Sequence, residues 1–415
     1  MSRVGFPLTL WARTRLEVVV PWRTPDLMDT RKEFIRHALS GRFPITELCV
    51  AFGVSEKTGH KWISRFRKEG DSGLVDRSHV PRTVPHRVPL ELRSEITALR
   101  QQHPTWGPRK LRVVLERRSP RTEWPAASTI GELLRSEGLV HSKRRKRASI
   151  GLPIDAGLTV ASAPNEVWTT DFKGEFRLGS GPYCYPLTVL DAESRFMIGT
   201  TALFSTATIP SQIAFERHFA EFGLPLVIRS DNGIPFASAR SIGRLSALSV
   251  WWIRLGIRPE RIKPAHPQQN GQHERMHKTL KAEATRPSSQ TLIEQQQRFE
   301  RFRHEYNNER PHESLDQATP ASRYAKSPRK YPSLLPELTY PAHCDVQAVG
   351  SSGMVYFKRK QFFLSTALSS YEVGFEETDD ELWTVSFGPL SLGTYHLPSN
   401  TFIEEVHWKP QPENG

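Results

Sequence analysis

Cysteine is scarce in this chain, which has three in 415 residues. Cys49, Cys184 and Cys344 lie far apart among apolar residues, so the sequence predicts neither a disulfide framework nor a zinc knuckle. Long apolar runs are also lacking, and Arg13, Arg15 and Glu17 interrupt the apolar start of the chain. These absences argue against an exported or membrane-spanning protein. We therefore expect a cytoplasmic protein with no membrane association.

Acidic residues are under-represented in the first third. Residues 1–150 hold 30 Lys and Arg against 15 Asp and Glu, a charge of +15, whereas the whole chain carries +13. Residues 334–415 carry 4 basic against 11 acidic residues, a charge of −7. A region as basic as the first typically binds a polyanion, because neutralised phosphates release their counterions. The alternative is a basic surface that keeps the protein soluble.

Residues 28–80 have the pattern of a helix-turn-helix domain, and we interpret residues 1–27 as a disordered leader or an upstream start. In "FGVSEKTGHKWISRFRKEG", Gly53 permits a tight turn, Ser55 is a good N-cap and Trp62 is expected inside. The third helix would present donors to a major groove. These donors are Lys57, Thr58, His60, Lys61 and Arg65. The alternative is an ordinary three-helix bundle with a charged face.

A second helical domain, again resembling a helix-turn-helix, is predicted within residues 81–150. It ends in a run of five consecutive basic residues, a density that favours an unfolded arm until an acidic partner arrives. The run consists of Lys143, Arg144, Arg145, Lys146 and Arg147. We expect this arm to contact DNA.

From residue 160 to 330 the sequence pattern is no longer purely helical. It predicts the element order βββαβαβα, which is an α/β domain. Residues 335–410 contain short strands such as "MVYFKRKQFFL" and "LWTVSFG", which predict a small β-barrel or sandwich. The fold class is therefore multidomain: an N-terminal all-α region, a central α/β core and a small C-terminal β-rich domain.

Three acidic residues occupy informative positions in that central order. Asp171 lies in the first strand, Asp231 ends the fourth strand, and Glu274 lies near the start of the last helix. This order allows three carboxylates to converge, which is unfavourable unless cations lie between them. Oxygen-rich sites of this kind select Mg²⁺ or Mn²⁺ over zinc.

Two longer motifs accompany these acids, "HPQQNGQHERMHKTLK" and "YNNERPHESLDQATPASRY". With Asp171 and Asp231-Asn232-Gly233, they resemble the integrase-type DDE transposases of bacterial insertion sequences over residues 30–325. The resemblance implies a ribonuclease-H-like core at 160–330, shared with retroviral integrases. In that family the three acids hold two Mg²⁺ ions, with Mn²⁺ as a substitute, for cleaving and joining DNA.

The resemblance also implies the partners. Element ends and target DNA would be bound by a homo-oligomer assembled on DNA in the bacterial cytoplasm, associated with the nucleoid, and no small-molecule substrate is expected. Lys278 and Lys281 follow Glu274 by four and seven residues, so they share its helical face and would meet DNA phosphates. The auxiliary candidates are Asn232, Asn270, His277 and Arg310.

Two other hypotheses remain to be weighed. The string "HERMH" at 273–277 fits H-E-x-x-H, the zinc motif of metalloproteases. That function would need a third zinc ligand and an apolar helix, whereas this helix is charged on nearly every face. The other hypothesis is a catalytically inactive, sequence-specific DNA-binding regulator derived from a transposase, which loss of one acid would favour. All three acids are present.

Overall fold

The computed structural model describes residues 26–77, 88–140, 157–239, 241–263, 269 and 271–409. The basic run at 143–147 and Asn270 lie outside these described residues. The chain forms two compact units, residues 1–87 and 88–415. In the described part, no helix combines the length and apolarity needed to cross a membrane.

The first unit is a three-helix domain. Its helices are α1 (Leu27–Leu39), α2 (Ile45–Ala51) and α3 (Glu56–Glu69), followed by a 3-10 turn at Gly70–Leu74. Asp26 caps α1, so this helix includes Leu27, which the sequence had assigned to the leader. The core of the unit is formed by Phe34, Ile35, Leu48, Cys49, Trp62, Ile63 and Leu74.

Local chemistry determines the turn between α2 and α3. Gly53 has a φ of +64°, which only glycine adopts without strain. Ser55 then caps α3 by accepting a hydrogen bond from the Thr58 amide at 3.2 Å. A Cβ at Gly59 would lie 2.5 Å from Cys49 Sγ, so glycine is needed for the close approach of the two helices. The predicted helix-turn-helix arrangement is confirmed.

The second unit begins with three more helices. These are α4 (Leu90–Gln102), α5 (Pro108–Arg118) and α6 (Ala127–Ser136). Trp106 and Trp124 are buried among their leucines and isoleucines. These helices lie in the same compact unit as the central sheet, and Arg117 of α5 donates a hydrogen bond to the Gln317 carbonyl at 2.6 Å.

The centre of this unit is a six-stranded mixed sheet. Strands β1 and β5 run parallel, as do β5 and β6, whereas β3 runs antiparallel to β1, β2 and β4. The strands are β1 (Val167–Phe172), β2 (Phe176–Arg177), β3 (Tyr183–Asp191), β4 (Met197–Leu203), β5 (Val227–Ser230) and β6 (Arg258–Arg261). Apart from the two-residue β2, the strand order is the predicted one.

Helices cover both faces of this sheet. Alternation along β3 sends Leu187 and Val189 to one core and Leu190 to the other. The first core includes residues of α7 (Thr208–Phe222) and α8 (Ala247–Arg254). The second includes residues of α9 (Gly271–Glu283) and α10 (Leu292–Asn308).

The C-terminal part is an antiparallel β domain, as predicted. Its five-stranded sheet has the order β13-β12-β11-β10-β7, and β8 pairs with β9. The strands are β7 (Asp345–Ala348), β8 (Met354–Phe357), β9 (Lys360–Phe363), β10 (Glu372–Asp379), β11 (Leu382–Phe387), β12 (Leu390–His396) and β13 (Thr401–Trp408). Phe357 of the hairpin stacks on Phe375 of the sheet. Val250 and Ile253 of α8 belong to the same core.

Candidate active site

Asp171 and Asp231 lie at the same edge of the central sheet. In the parallel pair β1–β5, Thr169 is in register with Arg229, and each acid lies two residues further along its strand direction. The side chain of Asp231 accepts a hydrogen bond from the Gly233 amide at 3.1 Å, which holds the turn after β5. Parallel strands thus bring together two acids that are 60 residues apart.

Glu274 joins these acids from the first turn of α9. Burial, then the charge of Asp231 and more weakly that of Glu274, raise the pKa of Asp171 to about 7. This rise means that the negative charges act on one another, although the Glu274 side chain is exposed. An all-oxygen donor set with crowded negative charge fits a hard divalent cation.

The three carboxylates do not form a tight cluster. Among the described residues, one set of three metal-ligand side chains has ligand atoms within 4.8 Å of one another, and it lies in the C-terminal domain. That set is His343, Cys344 and Glu376. The triad is therefore more widely spaced than 4.8 Å, as mutual repulsion among carboxylates favours.

The two histidines of "HERMH" point into the protein. His273 is fully buried and His277 nearly so, and the Nε2 atoms of both lie on Thr188 Oγ1, at 2.7 and 2.8 Å. The Nδ1 atom of His273 lies 3.0 Å from Thr169 Oγ1. Both histidines therefore fasten α9 to strands β1 and β3.

Thr188 Oγ1 is the centre of this network. It lies within hydrogen-bond distance of both histidine Nε2 atoms, and its hydroxyl is 2.9 Å from the Asp171 backbone carbonyl, which can accept its proton. Burial lowers the pKa of His277 to about 3 and that of His273 well below its ordinary value, so both rings are neutral. Both Nε2 atoms are engaged by Thr188 in the interior and are not arranged around a shared metal position in the part of the chain that the structure describes.

His277 also faces the acids. Its Nδ1 atom lies 3.8 Å from Asp171 Oδ2, and its side chain is 11% exposed, so it is not a surface histidine. Lys173, which was not predicted from the sequence, lies near enough for its charge to help lower the pKa of His277. Lys173 lies two residues after Asp171, on the same side of the extended chain, and its charge acts on both Asp171 and Lys281. The period of two residues along the strand was the available signal.

The remaining candidates divide into exposed donors and structural ties. Lys278 and Lys281 are exposed, as DNA contacts would need. Asn232 donates to the Ile262 carbonyl at 2.8 Å and thereby ties the loop after β5 to the chain after β6. Arg310 is buried and its Nη1 atom lies 2.8 Å from Oε1 of Glu283, an ion pair with an acid outside the triad.

The candidate recognition helix α3 is partly as expected. Lys57, His60 and Lys61 are exposed, and Trp62 is buried. Lys61 Nζ lies 4.4 Å from the centroid of the Trp62 ring, and the Arg65 guanidinium lies 5.2 Å from it. Thr58 is half-buried and its hydroxyl lies 2.9 Å from Ser55 Oγ, so its side chain serves the helix cap.

Family models match two stretches of the chain, residues 30–134 and 161–320. A model of the integrase core domain matches residues 161–267, and a second integrase core model matches 255–320. A helix-turn-helix domain model matches 30–82 and a homeodomain-like domain model matches 58–134. The chain therefore carries an integrase core domain preceded by helix-turn-helix domains.

Curated relatives agree with this class. An uncharacterized protein of insertion element IS407 from Burkholderia multivorans is 26% identical over 236 residues, which are 57% of this chain and 81% of that protein. The Gag-Pol polyprotein of baboon endogenous virus is 31% identical over 212 residues, 49% of this chain. The match spans 11% of that viral polyprotein. The predicted resemblance to integrase-type transposases is confirmed.

Among solved structures, the magnesium complex of the HTLV-2 integrase catalytic core domain is similar, with 15% identity and a TM-score of 0.32. The match covers 40% of this chain and all of that one. The simian T-cell lymphotropic virus intasome, solved with a PP2A regulatory subunit, contains a chain with 16% identity and a TM-score of 0.35. That match covers 77% of this chain and all of the intasome chain.

Proposed function

We propose that this protein is a transposase that binds the ends of its own mobile element, cleaves DNA strands there and joins them to target DNA. The arrangement of Asp171, Asp231 and Glu274 carries the proposal. They lie at one edge of two parallel strands and in the first turn of α9, all within the residues that the integrase core models match.

These three acids would hold the metal that integrase core domains require. Two bound Mg²⁺ ions would activate the attacking water or DNA 3′-hydroxyl and stabilise the departing oxygen. Asp171 has to be ionised to serve as a ligand. Burial and the charge of Asp231 raise the pKa of Asp171 to about 7, and positive charge at this edge would lower it again.

The surroundings of the acids would position DNA. Lys278 and Lys281 are exposed about one and two turns after Glu274, so a strand that reaches Glu274 would pass both ammonium groups. His273 and His277 are buried and fasten this helix to the sheet through Thr188. Held in this way, Glu274 keeps its position when DNA binds, which is the preorganisation that phosphoryl transfer needs.

Recognition of the element ends is assigned to the basic N-terminal third. In the first unit, Lys57, His60 and Lys61 project from α3 to solvent, as major-groove contacts require. We include residues 143–147 as a further DNA-binding arm on charge alone. A homo-oligomer on paired ends, in the bacterial cytoplasm at the nucleoid, completes the proposal.

The test of chemistry uses labelled DNA from both flanks of the protein's own gene. Wild type is expected to cut and join this DNA in Mg²⁺, whereas Asp231→Asn should bind equally well without cutting. Glu300→Gln, an exposed carboxylate change on α10, is the matched control and should cut normally. Equal cutting by Asp231→Asn, or activity with zinc in place of Mg²⁺, would show that the triad is wrongly assigned. Binding without cutting by wild type would indicate the inactive regulator.

Recognition has its own test. Replacing Lys57 and Lys61 by alanine should weaken end binding and lower the slope of log Kd against log salt by roughly two. Fluorescence anisotropy at four salt concentrations measures this slope. A variant with unchanged affinity and slope would show that α3 does not meet DNA.

A further inference from the structure

A second charged site lies on the other side of α9. An open cavity of about 330 Å³ is lined by residues of α5, the β3–β4 turn, α9, the end of α10 and the segment that follows α10. Its lining contains four basic residues, Lys110, Arg195, Arg275 and Arg310, against one acidic residue, Glu313. Such a cluster of cations is unfavourable unless negative charge compensates it.

The protein compensates only part of this charge. Arg310 is paired with Glu283 at 2.8 Å, and Glu313 is itself paired with Arg109 at 2.8 Å. Within the described chain, no direct ion pair is found for the cations of Lys110, Arg195 or Arg275. The charges of Glu283 and Glu313 act on Lys110, and those of Glu193 and Asp191 act on Arg195, without forming such a pair. Three cations therefore line this cavity without a directly paired carboxylate among the described residues.

Arg195 provides the most specific observation. Its Nε and Nη1 atoms are buried and have no hydrogen-bond partner among the described residues, and the same holds for Nε2 of His312. Arg195 has a φ of +65°, so the turn between β3 and β4 holds its backbone in a conformation that an L-residue rarely adopts. Arg195 as a whole is half-buried, and two buried guanidinium nitrogens without a partner are costly for a protein that gains nothing from them.

The charges also act on one another. Burial, followed by the charge of Arg310, lowers the pKa of Lys110 to about 8. Burial, followed by the charges of Lys110 and Arg310, lowers the pKa of His312 to about 3, so this ring stays neutral. Positive groups have thus been brought together in a partly buried cavity, which is an arrangement that suits oxyanions.

This cavity is separate from the candidate active site. At about 100° per residue, the α9 lining residues Met276 and Thr279 lie roughly 160° and 140° around the helix from Glu274. An anion bound here would therefore be away from the scissile phosphate. The arginines can bind phosphate oxygens in pairs, because a guanidinium has a planar fork of donors.

We propose that this basic cavity is a phosphate-binding site, with the Arg195 guanidinium and the Lys110 ammonium as its main ligands. The bound group is either a backbone phosphate of DNA or a free phosphate. This assignment is independent of the metal-binding triad, so either can fail while the other holds.

In the first experiment, inorganic phosphate is titrated into the full-length protein at constant ionic strength, and isothermal titration calorimetry measures its affinity. Arg195→Met and Lys110→Met are expected to weaken phosphate binding at least tenfold. Arg301→Met removes an exposed positive charge on α10 and should bind as wild type does. Equal affinity in all four proteins would overturn the proposal.

A folding control and a DNA arm complete the design. Without phosphate, Arg195→Met should melt no lower than wild type, because it removes two buried guanidinium nitrogens that have no partner among the described residues, and phosphate should no longer raise its melting temperature. If the natural ligand is a DNA backbone phosphate, each variant should also reduce the salt slope of binding to a 30-bp duplex by about one. An unchanged slope with lost phosphate binding would identify free phosphate as the ligand.

Discussion

Replacing Thr188 by valine should destabilise the protein far more than the loss of one hydroxyl normally does. Thr188 Oγ1 is hydrogen-bonded to Nε2 of His273 and to Nε2 of His277, and both rings are buried. Valine keeps the shape of threonine and leaves both Nε2 atoms without this partner. Each unsatisfied buried polar atom costs about 1–3 kcal/mol, so we expect a loss of about 2–6 kcal/mol.

Thr200→Val is the matched control. Thr200 lies opposite Thr188 on β4 and is equally buried, but its hydroxyl donates only to Met197 Sδ, a weak acceptor. This change should cost at most about 1 kcal/mol. The measurement is urea denaturation followed by circular dichroism, with hydrogen exchange of the α9 amides as a local probe. Equal losses for the two variants, or unchanged protection of α9, would refute the proposed role of Thr188.

Three further predictions concern the second unit. Gly199→Ala should lower the melting temperature and cost about 1–3 kcal/mol of stability, because a methyl group there would overlap the His218 imidazole. The double variant with His218→Ala should recover part of the lost stability. Glu283→Gln should cost about 1.5–3 kcal/mol in urea denaturation, because it breaks the ion pair with Arg310, whereas a loss near zero would contradict that pairing. Burial lowers the pKa of His218 from 6.5 to about 3, so in this interval the unfolded chain binds a proton that the folded chain does not. Lowering the pH from 7.5 to 5.5 should therefore cost wild type about 1.4 kcal/mol more than His218→Gln. Equal pH dependence of the two proteins would show that the folded state protonates His218 as readily as the unfolded chain does.

Local signals explain what could be predicted of the fold. Gly53 and Ser55 act within a few residues of their own positions, so the turn and the cap of α3 could be identified from the sequence. Alternation along β3 and the apolar residues of α7 likewise depend on short periods. The start of α1 was placed one residue late, because Asp26, the actual cap, precedes the residues that showed the helical pattern.

Contacts between distant segments could not be predicted in this way. The approach of His273 to Thr188 depends on where α9 crosses the sheet, and no local period encodes that position. The pair between Glu283 and Arg310 joins two elements, and Lys110 reaches the same region from a helix far earlier in the chain. Side-chain register between elements is a property of the assembled core.

For the candidate site, the order of the acids was informative because parallel strands end at the same edge. Asp171 and Asp231 do lie together at that edge, and the charge of Glu274 acts on Asp171. Their catalytic role stays a prediction, as do the assigned DNA contacts. Lys173 was not predicted, because neither the order of the acids nor a helical face points to it; only the two-residue period of the extended chain after Asp171 does.

Helix α8 packs into two different cores, and this affects how the chain folds during synthesis. Leu248 and Trp252 of α8 lie in the core beneath the central sheet, whereas Val250 and Ile253 lie in the core of the C-terminal sheet. During synthesis the face of α8 that carries Val250 and Ile253 remains exposed to solvent until the C-terminal strands, some 100 residues further along the chain, have left the ribosome. A product truncated before these strands would therefore leave Val250 and Ile253 of α8 exposed to solvent, so the C-terminal sheet completes the packing of a helix that also belongs to the central core.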